Sequence, residues 1–198
     1  MSSSWQSVVG YAAGAISLAG FLPYAVAIVR RRARPNRATW IIWSVVSALL
    51  FASYDASVGG AARWVPLSDA IGTAVIAVLS FRHGEGGLGR FDRACLGLAG
   101  VSAVGWGLSG SAEVALGMNV FVAVLGALPT VRKAYLDPAS ESLLTWCIFL
   151  SGNALNLVAI EAWSLKSATY PLYAALVAAL VVALLLAPAR CRAVSTAA

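Results

Sequence analysis

Asn153 and Asn156 stand three residues apart in an otherwise apolar run, CIFLSGNALNLVAI, and their amides offer both hydrogen-bond donors and acceptors. At helical spacing they share a face. Amides turned to hydrocarbon are costly, so their role is either contact with a polar solute or hydrogen bonding between helices. Asp69, in VPLSDAIGTAV, is a carboxylate in a similar setting. Such a group is a proton-coupling candidate, the alternative being a wet vestibule where it pairs with Arg63 or Lys166. Thr73, one turn further on, extends the polar face. Ser47, Trp43 and Asn119 complete the expected solute-binding set, Trp43 as a stacking surface or a plug.

Other chemistry lacks its parts. The single histidine, His83, falls in a polar loop, and no CxxC pair accompanies Cys95, Cys147 and Cys191, so no metal or haem site and no cofactor is expected. Gly84, Gly86 and Gly89 form a literal GxGxxG, but no strand precedes it. No catalytic triad or phosphate-binding motif is present, and no enzyme activity is expected.

The elements that would position these groups are membrane helices. Of 198 residues, 60% are hydrophobic and 11% charged, and the mean hydropathy is +0.82, whereas soluble domains are about 25% charged. Seven apolar stretches can be marked, near 6–29, 39–60, 65–82, 94–110, 112–132, 143–164 and 168–187. None has the period-2 alternation of a membrane barrel. The expectation is one all-α, polytopic membrane domain over 1–198. The N-terminus shows neither a basic segment nor a cleavage site, so no removable signal is expected.

Charge sets the expected orientation. Five arginines crowd positions 30–37, and an outside N-terminus puts twelve of the fourteen basic residues on the cytoplasmic face, leaving Arg63 and Lys166 outside. The C-terminus is then cytoplasmic. Anchoring accounts for this charge, so no nucleic-acid partner is implied; the partners are the bilayer, of a bacterial-type cytoplasmic (inner) membrane, and a small solute. Oligomeric state, including a homo-oligomer, stays open.

The chain also repeats itself. At an offset of 106 residues, Gly20, Leu22, Pro23, Thr39 and Trp40 fall on Gly126, Leu128, Pro129, Thr145 and Trp146, and Ile42, Ala48 and Leu49 fall on Ile148, Ala154 and Leu155. With a one-residue shift, Val65-Pro66 meets Tyr170-Pro171. Residues 6–82 and 112–187 are therefore read as two three-helix repeats. The stretch 94–110 is an odd linker helix that keeps the repeats parallel, and its glycines are expected to pack closely against neighbours. Pro23 and Pro129, with Gly20 and Gly126 three residues before, are expected hinges or static kinks. Trp40 and Trp146 are expected as interfacial anchors.

The duplicated GxxP, polar loop and Thr-Trp in a 3+1+3 order resembles the PQ-loop and SWEET (MtN3-like) superfamily. The resemblance covers nearly the whole chain, although the glutamine of the Pro-Gln dipeptide is Tyr24 in one copy and Thr130 in the other. It implies two three-helix bundles around a solute path, with alternating access hinged at the prolines. The implied function is a facilitator or proton-coupled carrier of a sugar, amino acid or similar polar solute. The alternative is a non-transporting receptor or sensor that binds a ligand in the same cavity.

Overall fold

The computed structural model describes residues 4–187 and is helical throughout: α1 (Ser4–Val29), α2 (Arg37–Ser57), α3 (Trp64–His83), α4 (Arg90–Ser109), α5 (Ala112–Leu136), α6 (Leu143–Val158) and α7 (Leu165–Leu186). Among the described residues, five helices are long and apolar enough to cross a membrane, namely α1, α2, α3 (with the short turn before it), α5 and α7. α6 is apolar but has only 16 residues, about 24 Å of helix at 1.5 Å per residue. It stops at Val158, before the expected 164, because the following residues turn to other partners: Ile160 offers its carbonyl to Gln6, and Glu161 reaches the backbone of Ala61. His83 closes the last turn of α3, where a loop was expected.

Short polar residues start the helices. Asn36 caps α2 by accepting from the Thr39 amide at 3.1 Å, and Ser142 caps α6 by accepting from the Thr145 amide at 3.3 Å. These caps are themselves 106 positions apart. Ser111 caps α5, and Ser164 with Ser167 forms a reciprocal capping box on α7.

The loops gather at two ends. At one, the arginine end, Arg37 and Glu85 join the α1–α2 and α3–α4 connections through paired backbone bonds, Arg37 N to Glu85 O at 2.9 Å and Glu85 N to Pro35 O at 3.0 Å. At the opposite end, Glu161 accepts from the Ala61 amide at 3.0 Å, Arg63 pairs with Asp55 at 3.0 Å and Lys166 with Glu113 at 2.7 Å.

Packing follows small residues. α3 lies against both α1 and α2, and α7 against both α5 and α6, while α1 packs on α6 and α2 on α5. On α1, an added Cβ at Gly10 would lie 2.2 Å from the Ala61 carbonyl oxygen, and one at Gly14 2.8 Å from Trp64 Cβ. α4 departs from expectation: Gly97, Gly100, Gly105 and Gly107 face open space, and its packed positions are Cys95, Ala99 and Ser102, the last donating to the Ala115 carbonyl of α5. Glycine there relieves no crowding. Outward faces carry large apolar side chains such as Leu22, Val78, Phe81 and Leu176, a surface suited to lipid rather than water.

Candidate functional site

α1, α2, α3, α5, α6 and α7 together line a partly open cavity of about 70 Å³, room for a few waters or the body of one small solute. Its polar lining comes from Ser47 on α2, Asp69 and Thr73 on α3, Asn153 on α6, and Tyr170 and Tyr173 on α7. Four of the expected polar residues thus meet in one place, with Trp43 beside them. Asn156 and Asn119 do not: both are fully buried outside the cavity wall, their amide atoms without hydrogen-bond partners among the described residues. Asn153 and Asn156 share a helix face, yet only the first reaches the cavity.

Asp69 is held by Tyr170, whose hydroxyl donates to Oδ2 across the α3–α7 gap. The basic side chains considered from the sequence are engaged elsewhere, Arg63 with Asp55 and Lys166 with Glu113. Among the described residues, no cation pairs with Asp69. Thr73 turns its hydroxyl back to the Asp69 carbonyl at 2.5 Å. Asn153 donates through Nδ2 to the Phe149 carbonyl at 2.9 Å, which leaves its buried Oδ1 unpartnered.

Toward the arginine end the cavity is closed by a ring of aromatic side chains. Phe21 contacts Trp40 (centroids 6.3 Å), Trp40 contacts Trp43 (5.3 Å), Trp43 contacts Trp146 (6.3 Å), Trp146 contacts Phe149 (5.8 Å), and Phe149 returns to Phe21 (4.6 Å). Trp40 and Trp146 are 3% and 4% exposed, so they point inward and are not interfacial anchors. The inward turn has a cause: Trp146 donates its indole N–H to Glu141 at 3.2 Å, and Tyr24, stacked on Trp40, donates to the same carboxylate oxygen at 3.3 Å.

Glu141 belongs to a lock behind this ring. Lys133 reaches Glu141 at 3.4 Å and Glu85 at 3.1 Å and also donates to the Arg34 carbonyl, so one ammonium joins three loops. Burial pushes the Glu141 carboxyl above its ordinary value, with the Lys133 charge and the three donors pulling the other way.

The proline motifs occupy equivalent contacts. An added Cβ at Gly20 would lie 2.8 Å from Phe149 Cε1 and 3.0 Å from Ile148 Cγ2, while one at Gly126 would lie 2.9 Å from Ile42 Cγ2 and 3.5 Å from Trp43. Ile42 and Trp43 are the residues 106 positions before Ile148 and Phe149. α1 stays helical through Pro23, which has no N–H to give the Ala19 carbonyl. α5 is likewise helical through position 129; the side chain of Pro129 lies outside the described ones, as does all of Cys191.

Sequence reasoning missed Tyr170, Tyr173, Glu141 and Lys133, and assigned Trp40 and Trp146 to the wrong surface. Only the pairing of the two tryptophans at equivalent repeat positions hinted at a shared inward role. No family model, curated protein or solved structure matches the chain.

Proposed function

We propose that the protein is a carrier of a small polar solute, a member of the PQ-loop and SWEET superfamily that works by alternating access between two parallel three-helix bundles. In this reading all seven helices span the membrane, with the arginine end cytoplasmic and the N-terminus outside, in a bacterial-type inner membrane. The packing supports it: exchanging α1, α2 and α3 for α5, α6 and α7 turns each contact among these six helices into another that is present, α1 on α6 becoming α5 on α2, while α4 packs on α2 and α5 without equivalents. The proline-motif glycines obey the same exchange. α4 then serves as the linker.

One observation carries the functional reading. The polar cavity draws its walls from both bundles and is shut toward one end only by side chains, the aromatic ring and the Lys133–Glu141 lock. A ring of side chains can part if the bundles rock, and Pro23 and Pro129, beside the glycine contacts, are where that motion would be absorbed. Asp69 is the group to carry any coupled proton.

Counterflow in proteoliposomes tests this. Preloaded vesicles exposed to labelled sugars, amino acids or amines, with and without a pH gradient, are expected to exchange at least one solute, and Asn153→Ala to abolish that exchange. Tight binding with no exchange would replace the carrier with a receptor.

A further inference from the structure

We infer that the cavity takes a small organic cation, a protonated amine with an apolar body, in preference to a sugar or an amino acid. The inference deepens the carrier reading and rests on it for the idea that the ligand is carried.

The first ground is charge. Among the described residues, Asp69 is the one carboxylic acid on the cavity wall, and no lysine, arginine or histidine shares the wall with it. Lys133 is committed to Glu85 and Glu141, Arg37 to the Ser80 and Gly86 carbonyls, and Arg63 and Lys166 to partners at the opposite end. A carboxylate inside lipid without a counter-charge is costly, and a cationic ligand relieves that cost. A zwitterionic amino acid would bring its own carboxylate into a wall that has no cation for it.

The second ground is the balance of donors and acceptors. The wall's fixed donors are already engaged within the protein: Tyr170 to Asp69, Thr73 to the Asp69 carbonyl, Asn153 Nδ2 to Phe149, Trp43 to the Ala123 carbonyl at 3.4 Å and Trp146 to Glu141. What remains unengaged on the residues of the wall, among the described residues, is acceptor: the second oxygen of Asp69 and the Oδ1 of Asn153, which is buried without a partner and which a small shift of the amide would present to a ligand. Ammonium N–H groups satisfy both. A sugar needs donors as well as acceptors, and only the adaptable hydroxyls of Ser47 and Tyr173 are left to supply them.

The third ground is shape and surface. Aromatic faces and edges dominate the rest of the wall, including Phe21, Trp43, Trp146, Phe149 and Tyr173. Aromatic rings attract cations through their quadrupole and accept hydrocarbon without hydrogen bonding. About 70 Å³ fits a chain of a few carbons.

Binding to the full-length protein in detergent, read by calorimetry and by tryptophan fluorescence, is the test. The probes are propylammonium, its neutral analogue propanol, tetramethylammonium, alanine and glucose. Propylammonium is expected to bind at least tenfold more tightly than any of the others, and Asp69→Asn to weaken it at least tenfold. Tetramethylammonium has charge but no N–H, so equal or tighter binding by it would overturn the acceptor argument. Glucose or alanine binding as tightly as propylammonium, or an unchanged affinity in Asp69→Asn, would overturn the whole proposal. Should Asp69→Asn fail to fold, Tyr170→Phe decides: it removes the hydroxyl that competes for the carboxylate, so propylammonium affinity is expected to hold or rise, and its loss would refute the site. Propylammonium that binds but does not exchange across vesicles leaves this site standing and removes the carrier. Exchange of glucose or alanine without amine binding does the reverse.

Discussion

Gly20→Ala, Gly126→Ala and Gly117→Ala form a series whose order follows from the repeat geometry. At Gly20 the new methyl would meet Phe149 Cε1 at 2.8 Å, Phe149 Cδ1 at 2.9 Å and Ile148 Cγ2 at 3.0 Å, against a comfortable carbon separation of about 3.5–4.0 Å. The ring cannot easily yield, because Phe149 is wedged between Phe21 and Trp146. Overpacking of this kind costs about 1–3 kcal/mol, while alanine recovers about 1 kcal/mol of helix propensity. The net loss is about 0–2 kcal/mol. Gly126 has one short contact, 2.9 Å to Ile42 Cγ2, and its Trp43 contacts at 3.5 Å are ordinary, so the two effects nearly cancel. Gly117, on the same helix as Gly126, has nothing within 4 Å, and its alanine variant should gain the propensity term alone. Thermal melts in one detergent, followed by tryptophan emission, read the series at about 2–4 °C per kcal/mol for a chain of this size. Gly117→Ala is expected to melt about 2–4 °C above the parent, Gly126→Ala close to it, and Gly20→Ala from level with the parent to about 8 °C below it. Gly20→Ala melting at or above Gly117→Ala would mean that α1 and α6 do not meet as described, and the reasoning from equivalent contacts would fail with it.

Glu141 gives the lock a pH dependence of definite sign. Its carboxyl is held above the ordinary 4.5, with burial outweighing the Lys133 charge, so the folded state binds the proton more readily than the unfolded one. The associated stability is fully present below about 4.5 and is lost as pH rises through the folded value. Glu141→Gln should therefore melt higher than the parent at pH 8, with the gap closing as pH falls; a gap that is constant or reversed would contradict the sign. The duplicated caps make a second pair: Asn36→Ala and Ser142→Ala should each lower stability by about 1 kcal/mol, and a loss at only one would show that the two helix starts are not equivalent in strength.

The local signals in the chain were legible wherever a residue's own neighbours decide its state. Short polar residues before apolar runs mark the starts of α2, α5, α6 and α7, and the 106-residue register runs through caps, glycines and tryptophans alike. What escaped was whatever depends on partners distant in sequence. A tryptophan after a polar loop looks the same whether it lies in the interface or turns inward, and Trp40 turns inward because Phe21 and Tyr24 on another helix receive it. Asn153 and Asn156 differ by less than one turn, yet the packing of α6 admits only Asn153 to the cavity. Glycine in α4 implied close contact, but its open setting depends on there being no helix on that side.

The departures from the repeat hold the chemistry. Register 105 sets Asp69 against Ala174 and Val65 against Tyr170, so α3 brings the acid and α7 brings the hydroxyl that holds it. An unbroken duplication would have faced one carboxylate with another, and like charges sharing a low-dielectric site cannot both stay ionised. Ser47 against Asn153 follows the same pattern, a small hydroxyl on one side leaving room for an amide on the other. Phe21 against Ala127 explains why the aromatic ring has a member from α1 and none from α5. Positions shared by the duplication, the glycines, tryptophans and caps, thus make equivalent helix starts and helix contacts; the unlike positions give the cavity wall its single carboxylate and its polarity.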